Sequence, residues 1–321
     1  DVVDWIGYDP YDFNTCHATA AKTAAQAITP WYRWIDAQPW AAGKPLMLSE
    51  FGSNGPDQQA WLASVPSVLR GLPRVKAAVQ FDSRPGGCDH RVTASAANLA
   101  GYTAASRDGY VNPSGATCDT RDGALAPACG VLWGIWPRTD AAGTMTTTLA
   151  ANTTSLEAAT GSRFDLVLRY KGWGETLVDT TDVALRDTGH TVVEDLSSRS
   201  FATNTWTSWR AIAAGTHDAY LVAQAKRVAA FGAPVLLSFS GEAENALDVK
   251  AADLAGGWAP SDYAAAYRHV RAVFDANGAR NARWVWWVRG ADAYKTTYPA
   301  MWPGAASVDW VNANTADAAA L

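Results

Sequence analysis

The chain has 321 residues, 48% hydrophobic and 18% charged, with a formal net charge of -5. That balance supports a large core and removes the electrostatic case for nucleic acid or an anionic membrane as partner, leaving a neutral one. Sixteen Trp supply flat apolar faces with a polar edge, suited to core filling and to stacking on sugar rings.

Val2 to Tyr8 reads as a strand, followed by a loop through Asp9-Pro10-Tyr11-Asp12-Phe13. The Ala-rich segment Ala18 to Asp36 carries helix formers, with Pro30 expected to break it or start a new helix. Lys44-Pro45-Leu46-Met47-Leu48-Ser49-Glu50-Phe51-Gly52-Ser53 is an apolar strand entered from a turn and ending on Glu50. In parallel α/β folds the C-terminal strand edge is where catalytic side chains are presented, so Glu50 is a candidate before anything else is known. Gln58 to Arg70 has helical spacing, Val75 to Phe81 is a strand running into Asp82, and Ser95 to Ala105 is a helix. This β-α-β-α-β order predicts a parallel sheet or barrel.

From Arg107 to Ala128 the texture turns to Gly, Pro, Ser, Asp and Thr, the signature of a boundary. Further strands are expected at Gly130 to Trp136, Phe164 to Tyr170, His190 to Leu196, Pro234 to Ser240, Arg283 to Val288 and Ser307 to Val311, with helices such as Ala219 to Phe231 and Ser261 to Asn277 between them. Val3-Asp4-Trp5-Ile6 is echoed by Val308-Asp309-Trp310-Val311 near the other end. With the echoed strand counted once, the total is that of a (β/α)8 barrel.

The cysteines, Cys16, Cys88, Cys118 and Cys129, show no C-x-x-C spacing, which argues for disulfides over zinc or thioredoxin-like chemistry. Cys118 and Cys129 are close enough to close a small loop, leaving Cys16 and Cys88 as the second pair. An oxidising, secreted location follows, with no cofactor or metal. No signal peptide and no apolar run of membrane length is seen, so any signal is removed or lies outside this sequence.

Val235-Leu236-Leu237-Ser238-Phe239-Ser240-Gly241-Glu242-Ala243-Glu244-Asn245 repeats the grammar of the Glu50 stretch: apolar strand, small residues, acid. Two glutamates at the mouths of parallel strands are what a glycosidase needs, one protonated to release the leaving oxygen and one ionised as nucleophile or base.

At this point the sequence resembles glycoside hydrolase family 26 and its actinobacterial relatives. The Pro234 to Asn245 segment resembles that family's fourth-strand motif, Val3 to Tyr11 its sixth strand and Lys44 to Ser53 its seventh. Val75 to Ser83 is similar to the eighth, and Cys88-Asp89-His90-Arg91-Val92 to the loop behind it. The motifs stand in permuted order. Residues 1–112 look like strands six to eight, 113–129 like a linker and disulfide loop, and 130–321 like strands one to six. A circular permutation or a tandem-domain fragment would give this order, and either implies one (β/α)8 barrel, with the tail after Val311 left over.

The resemblance implies a retaining, endo-β-mannanase-like glycoside hydrolase acting on a polysaccharide or oligosaccharide; glucan and xylan activities also occur in the family. Glu242 takes the place of the acid/base and Glu50 that of the nucleophile, roughly 5 Å apart in retaining geometry. Tyr11 matches the tyrosine that hydrogen-bonds the nucleophile. Trp173 is a candidate sugar platform, with Trp287 and Trp5 as rivals, and Asp82 and His17 are expected at the same mouth. Cys16 paired with Cys88 would brace the rim. His90, His217 and His269 read as surface or structural. Gly241 departs from the family, which has His there, and Glu244 either meets substrate, points inward or raises Glu242 by like-charge repulsion. A catalytically degenerate sugar-binding barrel and a purely structural module are the rival readings. A monomer is expected, with a domain-swapped dimer as the alternative.

Overall fold

The computed structural model describes residues 6–7, 9–37, 45–113, 121–123, 125–137, 149–289 and 292–315. Its strands are β1 (Ile6–Gly7), β2 (Asp9–Asp12), β3 (Leu46–Ser53), β4 (Val75–Asp82), β5 (Leu132–Pro137), β6 (Leu166–Lys171), β7 (Thr191–Leu196), β8 (Arg199–Ser200), β9 (Thr205–Trp206), β10 (Val235–Phe239), β11 (Ala282–Val288) and β12 (Trp310–Thr315). β8 and β9 form a separate antiparallel hairpin. The other pairings between these strands are parallel, in the order β3-β4-β5-β6-β7-β10-β11-β12-β2 and back to β3, so the sheet closes on itself. The fold is a TIM-like α/β barrel. Helices such as Gln58–Arg70, Ala96–Ser106, Thr180–Asp187, Asp218–Ala230 and Pro260–Ala276 connect the strands.

The pattern follows from burial on both strand faces, which makes parallel strands nearly continuous apolar runs. β3 is buried along its whole length. Helix Gln58–Arg70 buries Trp61, Leu62, Val65 and Leu69, one stripe at helical spacing. Helix Ala96–Ser106 starts where the Ser95 hydroxyl accepts the Asn98 N–H. Strand parity sorts side chains between lumen and helical layer. Trp133 turns outward onto Phe51 and Tyr102, with ring centroids 5.3 and 5.8 Å away. Its neighbour Gly134 faces the lumen.

The strand that closes the ring is assembled from both echoed sequences. β12 pairs with β11 (Val285↔Trp310 to Val288↔Ala313), while β1 and β2 pair with β3 (Ile6↔Leu46, Tyr11↔Gly52). The two copies meet at Asn314↔Asp9 and Thr315↔Pro10. The offset of this pairing, 314 − 9 = 305, equals the offset between the echoed sequences, 310 − 5 = 305. This corrects the expectation that residues after Val311 are left over: Asn312 to Thr315 are strand. Pro30 likewise neither breaks nor starts a helix. Helix Ala24–Asp36 runs through it, with Pro30 on the exposed side.

At Gly134 the neighbouring strands leave no room for a side chain. A Cβ there would lie 2.8 Å from Leu166 Cβ and 3.0 Å from Val79 Cγ2, on the two flanking strands. Gly134→Ala should therefore destabilise the protein by about 1–3 kcal/mol, the usual cost of overpacking. Thermal unfolding followed by Trp fluorescence checks this; an unchanged midpoint would show that the neighbouring strands yield freely.

Candidate active site

Glu50 reaches the lumen from the C-terminal half of β3, where the register against β4 shifts between Leu48 and Phe51. It is 8% exposed. The Tyr11 hydroxyl donates to Glu50 Oε2 at 2.8 Å, and the Tyr170 hydroxyl donates to Oε1. Both donors favour the ionised carboxylate, the form they bond. Tyr11 comes from β2, opposite Gly52. A Cβ on Gly52 would lie 3.1 Å from the Tyr11 ring and 3.2 Å from His90 Nδ1, so a glycine there leaves room for both rings. Tyr170 comes from β6 and is held edge-on to Trp136 at 5.0 Å, with Trp287 at 5.7 Å. Phe81 completes the wall, 5.9 Å from Tyr11 and 4.6 Å from Trp136.

Glu242 stands just beyond β10 on a turn tied to both neighbouring strands. Ser240 N–H donates to Leu196 O at 2.8 Å and Glu242 N–H to Trp287 O at 3.0 Å. Ser240 and Glu242 both adopt left-handed backbone, with φ of 50° and 51°, a conformation that costs a non-glycine residue about 1–2 kcal/mol. The half-exposed Glu242 carboxylate accepts a hydrogen bond from Asn245 Nδ2 at 2.7 Å. Between them Gly241 donates its N–H to Asp195 Oδ1 at 2.7 Å. A Cβ at 241 would lie 2.9 Å from that oxygen and 3.1 Å from Trp287 Cδ2. A glycine at 241 thus has a local cause: Asp195 and Trp287 occupy the space a side chain would need.

Two acids expected at the mouth are turned away from it. Asp82 is fully buried and accepts the Val92 N–H at 2.7 Å; it follows Phe81, which faces the lumen, so parity directs it outward. Glu244 is also fully buried and accepts the Arg289 N–H at 2.7 Å. Burial pushes both carboxyls up to about 7. Neither offers an oxygen to a ligand in the lumen. Trp287, at 1% exposure, backs Tyr170 and Gly241 and offers no open platform.

Trp173, on the loop after β6, is half-buried against Tyr220 at 4.9 Å and edge-on to His217 at 5.5 Å, and its N–H donates to Arg199 O at 2.8 Å. His17 is exposed and stacks on Phe13 at 4.9 Å. Trp5 lies outside the described residues. His90 is not a surface residue: it is buried under Tyr11 at 4.9 Å and Phe13 at 5.5 Å, and burial lowers it to about 4, so it is neutral at pH 7. His269 contacts Asp218 at 2.6 Å.

Cys16 and Cys88 form a disulfide with a Cα–Cα distance of 5.2 Å, joining the loops that follow β2 and β4. Cys16, His17 and Cys88 have ligand atoms within 4.8 Å of one another, but the two sulfurs are bonded to each other. Cys129 is disulfide-bonded as well; Cys118 lies outside the described residues.

Sequence reading missed Tyr170 and Asp195. It also missed a buried ionic cluster on the outer face of β6 and β7. There Arg169 meets Asp179 and Asp182 at 2.7 and 2.6 Å, and Lys171 meets Asp179 and Asp182 at 2.6 and 3.3 Å and Glu194 at 3.4 Å. The signal for Asp195 was present, since Thr191-Val-Val-Glu-Asp-Leu196 is another apolar run ending in acids.

The fold and site define a closed parallel α/β barrel with a tyrosine-clamped carboxylate and a second glutamate at its C-terminal mouth. No protein-family model and no curated protein matches the chain. Among solved structures it is similar to the catalytic domain of the Bacillus sp. JAMB-750 GH26 endo-beta-1,4-mannanase, with a TM-score of 0.36 and 16% identity over 52% of this chain. The chain spans about half of that structure, 51% of its length.

The raised Asp82 carboxyl makes stability pH-dependent. Raised from 3.8 to about 7, it binds more protons folded than unfolded between those values. Its contribution is therefore greatest at low pH and is lost as the pH rises through 7. Asp82→Asn keeps an acceptor for Val92 N–H without the charge. Urea unfolding should show it gaining on wild type between pH 4 and 8 by up to about 4 kcal/mol, at 1.36 kcal/mol per pH unit. Parallel pH dependences would refute the assignment.

Proposed function

We propose that the chain is a retaining glycoside hydrolase acting on a neutral β-linked polysaccharide of mannan type, with Glu50 as nucleophile and Glu242 as acid and base. The observation that carries this reading is the pair of phenol donors on Glu50, which keep one carboxylate ionised and aimed inside an aromatic-lined lumen. Glu242 is partly exposed at the mouth, within reach of solvent. An oxidising compartment fits the disulfide.

In the first step a Glu50 oxygen attacks the anomeric carbon as the Glu242 carboxyl gives its proton to the departing glycosidic oxygen. The phenol on the attacking oxygen must turn away as the ester forms, while the other keeps the carboxylate plane fixed. In the second step the Glu242 carboxylate takes a proton from water, whose oxygen attacks the same carbon and returns Glu50 to its ionised form.

Three measurements test this reading on β-mannan and related β-glycans. Glu50→Gln should abolish hydrolysis and Glu242→Gln lower it about 10²–10⁴-fold, with the first-formed sugar retaining the β configuration by proton NMR. A parent protein that binds these glycans but cleaves none would replace this reading with that of a sugar-binding barrel. Tyr170→Phe removes a donor that favours the charged Glu50, so the acid limb of kcat/KM should move to higher pH. An unmoved limb would reduce Tyr170 to a wall residue.

A further inference from the structure

The Glu242 turn has a feature that hydrolase chemistry alone does not require. Its central amide is bonded to a buried carboxylate on the adjacent strand, with both flanking residues in left-handed backbone. Asp195 ends β7 and is 4% exposed. Parity separates it from its neighbour: Glu194 faces the ionic cluster through Lys171 at 3.4 Å, whereas Asp195 shares its register row with Tyr170 on β6 and Ser238 on β10. The contact at Gly241 closes the gap so completely that no Cβ fits between.

We propose that Asp195 is a positioning residue for Glu242: it seats the proton donor by accepting the Gly241 N–H, which fixes the turn that carries the Glu242 side chain. The inference rests on the reading of Glu242 as the acid. Without the acceptor, the Gly241 N–H would be a buried donor with no partner on that side, and the turn would relax away from its left-handed conformation. Burial raises the Asp195 carboxyl to about 6 while the Gly241 N–H pulls it the other way, so it is mainly ionised at pH 7, the form that accepts most strongly. The other titratable groups facing it are Tyr170 from β6 and, from helix Pro260–Ala276, Tyr263 and Tyr267; Glu244 adds its charge on the Tyr263 side. Burial raises Tyr263 and Tyr267 well above the ordinary phenol range, which leaves them neutral.

The test compares two substrates of one sugar, β-mannan and a 2,4-dinitrophenyl β-mannobioside, whose phenolate leaves without a proton. Asp195→Ala should lose about 10²-fold or more on mannan while the aryl glycoside keeps its first step within a few-fold, and thermal melting should show a folded protein. Asp195→Asn retains an acceptor for Gly241 but not the charge. It should keep more mannan activity than Asp195→Ala, because the Gly241 N–H still has its partner. Equal losses on both substrates would overturn the proposal in favour of general disruption. The Gly241 amide-proton NMR shift needs no turnover and should move clearly upfield in Asp195→Ala and much less in Asp195→Asn, as its acceptor is lost or kept. An unchanged shift in Asp195→Ala overturns the seating contact. A moved shift in a protein that cleaves neither substrate would defeat the hydrolase reading while leaving the Asp195–Gly241 contact intact.

Discussion

A parallel sheet has no edge only where its outer strands meet, and here they meet at a seam between β11 and β3 filled from both halves of the chain. β12 covers the β11 side, β1 and β2 the β3 side, and a few backbone bonds between β12 and β2 complete the ring. The seam is pinned by Asp12: its backbone carbonyl accepts the Asn54 N–H at 3.0 Å, and its carboxylate accepts the Ser53 hydroxyl at 3.1 Å. Tyr11 is the residue before it. The donor on Glu50 Oε2 therefore depends on the β2–β3 side of the seam, where Tyr11 stands opposite Gly52.

The barrel wall separates two kinds of electrostatics. On the lumen side a carboxylate is held by phenols among aromatic rings, which contribute dipoles but no net positive charge. On the outer side two cations and three carboxyls are buried together, an arrangement whose worth lies in mutual pairing rather than in net stability. β6 carries both, since Tyr170 is flanked by Arg169 and Lys171 pointing the other way. The outer cluster ties the strand to Asp179, which caps helix Thr180–Asp187, and this limits how far Tyr170 can drift from Glu50.

The strands were readable because a doubly buried parallel strand announces itself as an apolar run, and Glu50 and Glu242 because each ends such a run. The Cys16–Cys88 pair followed from elimination among four cysteines. Asp82 and Glu244 were placed at the mouth by their nearness to strand ends, yet a step of one residue along a strand reverses side-chain direction, which turns Asp82 away from the lumen, and Glu244 starts the short helix Glu244–Val249 with its side chain buried. Tyr170 was illegible for another reason: its partner lies 120 positions away, and only ring closure brings β6 opposite β3. Gly241 looked like a missing side chain because a sequence cannot display the space that Asp195 and Trp287 already fill.

The Cys16–Cys88 bond encloses a stretch of chain as well as bracing two loops. Its sequence separation is 72 residues, and the whole of β3 lies inside the closed loop. Loop-closure entropy puts the effect on the unfolded ensemble at about 4 kcal/mol. The same tether acts on partial opening: should the seam part, the Glu50 strand stays leashed to the loop after β2 and so to Tyr11. The disulfide thus keeps the strand that supplies Tyr11 tied to the segment that supplies Glu50.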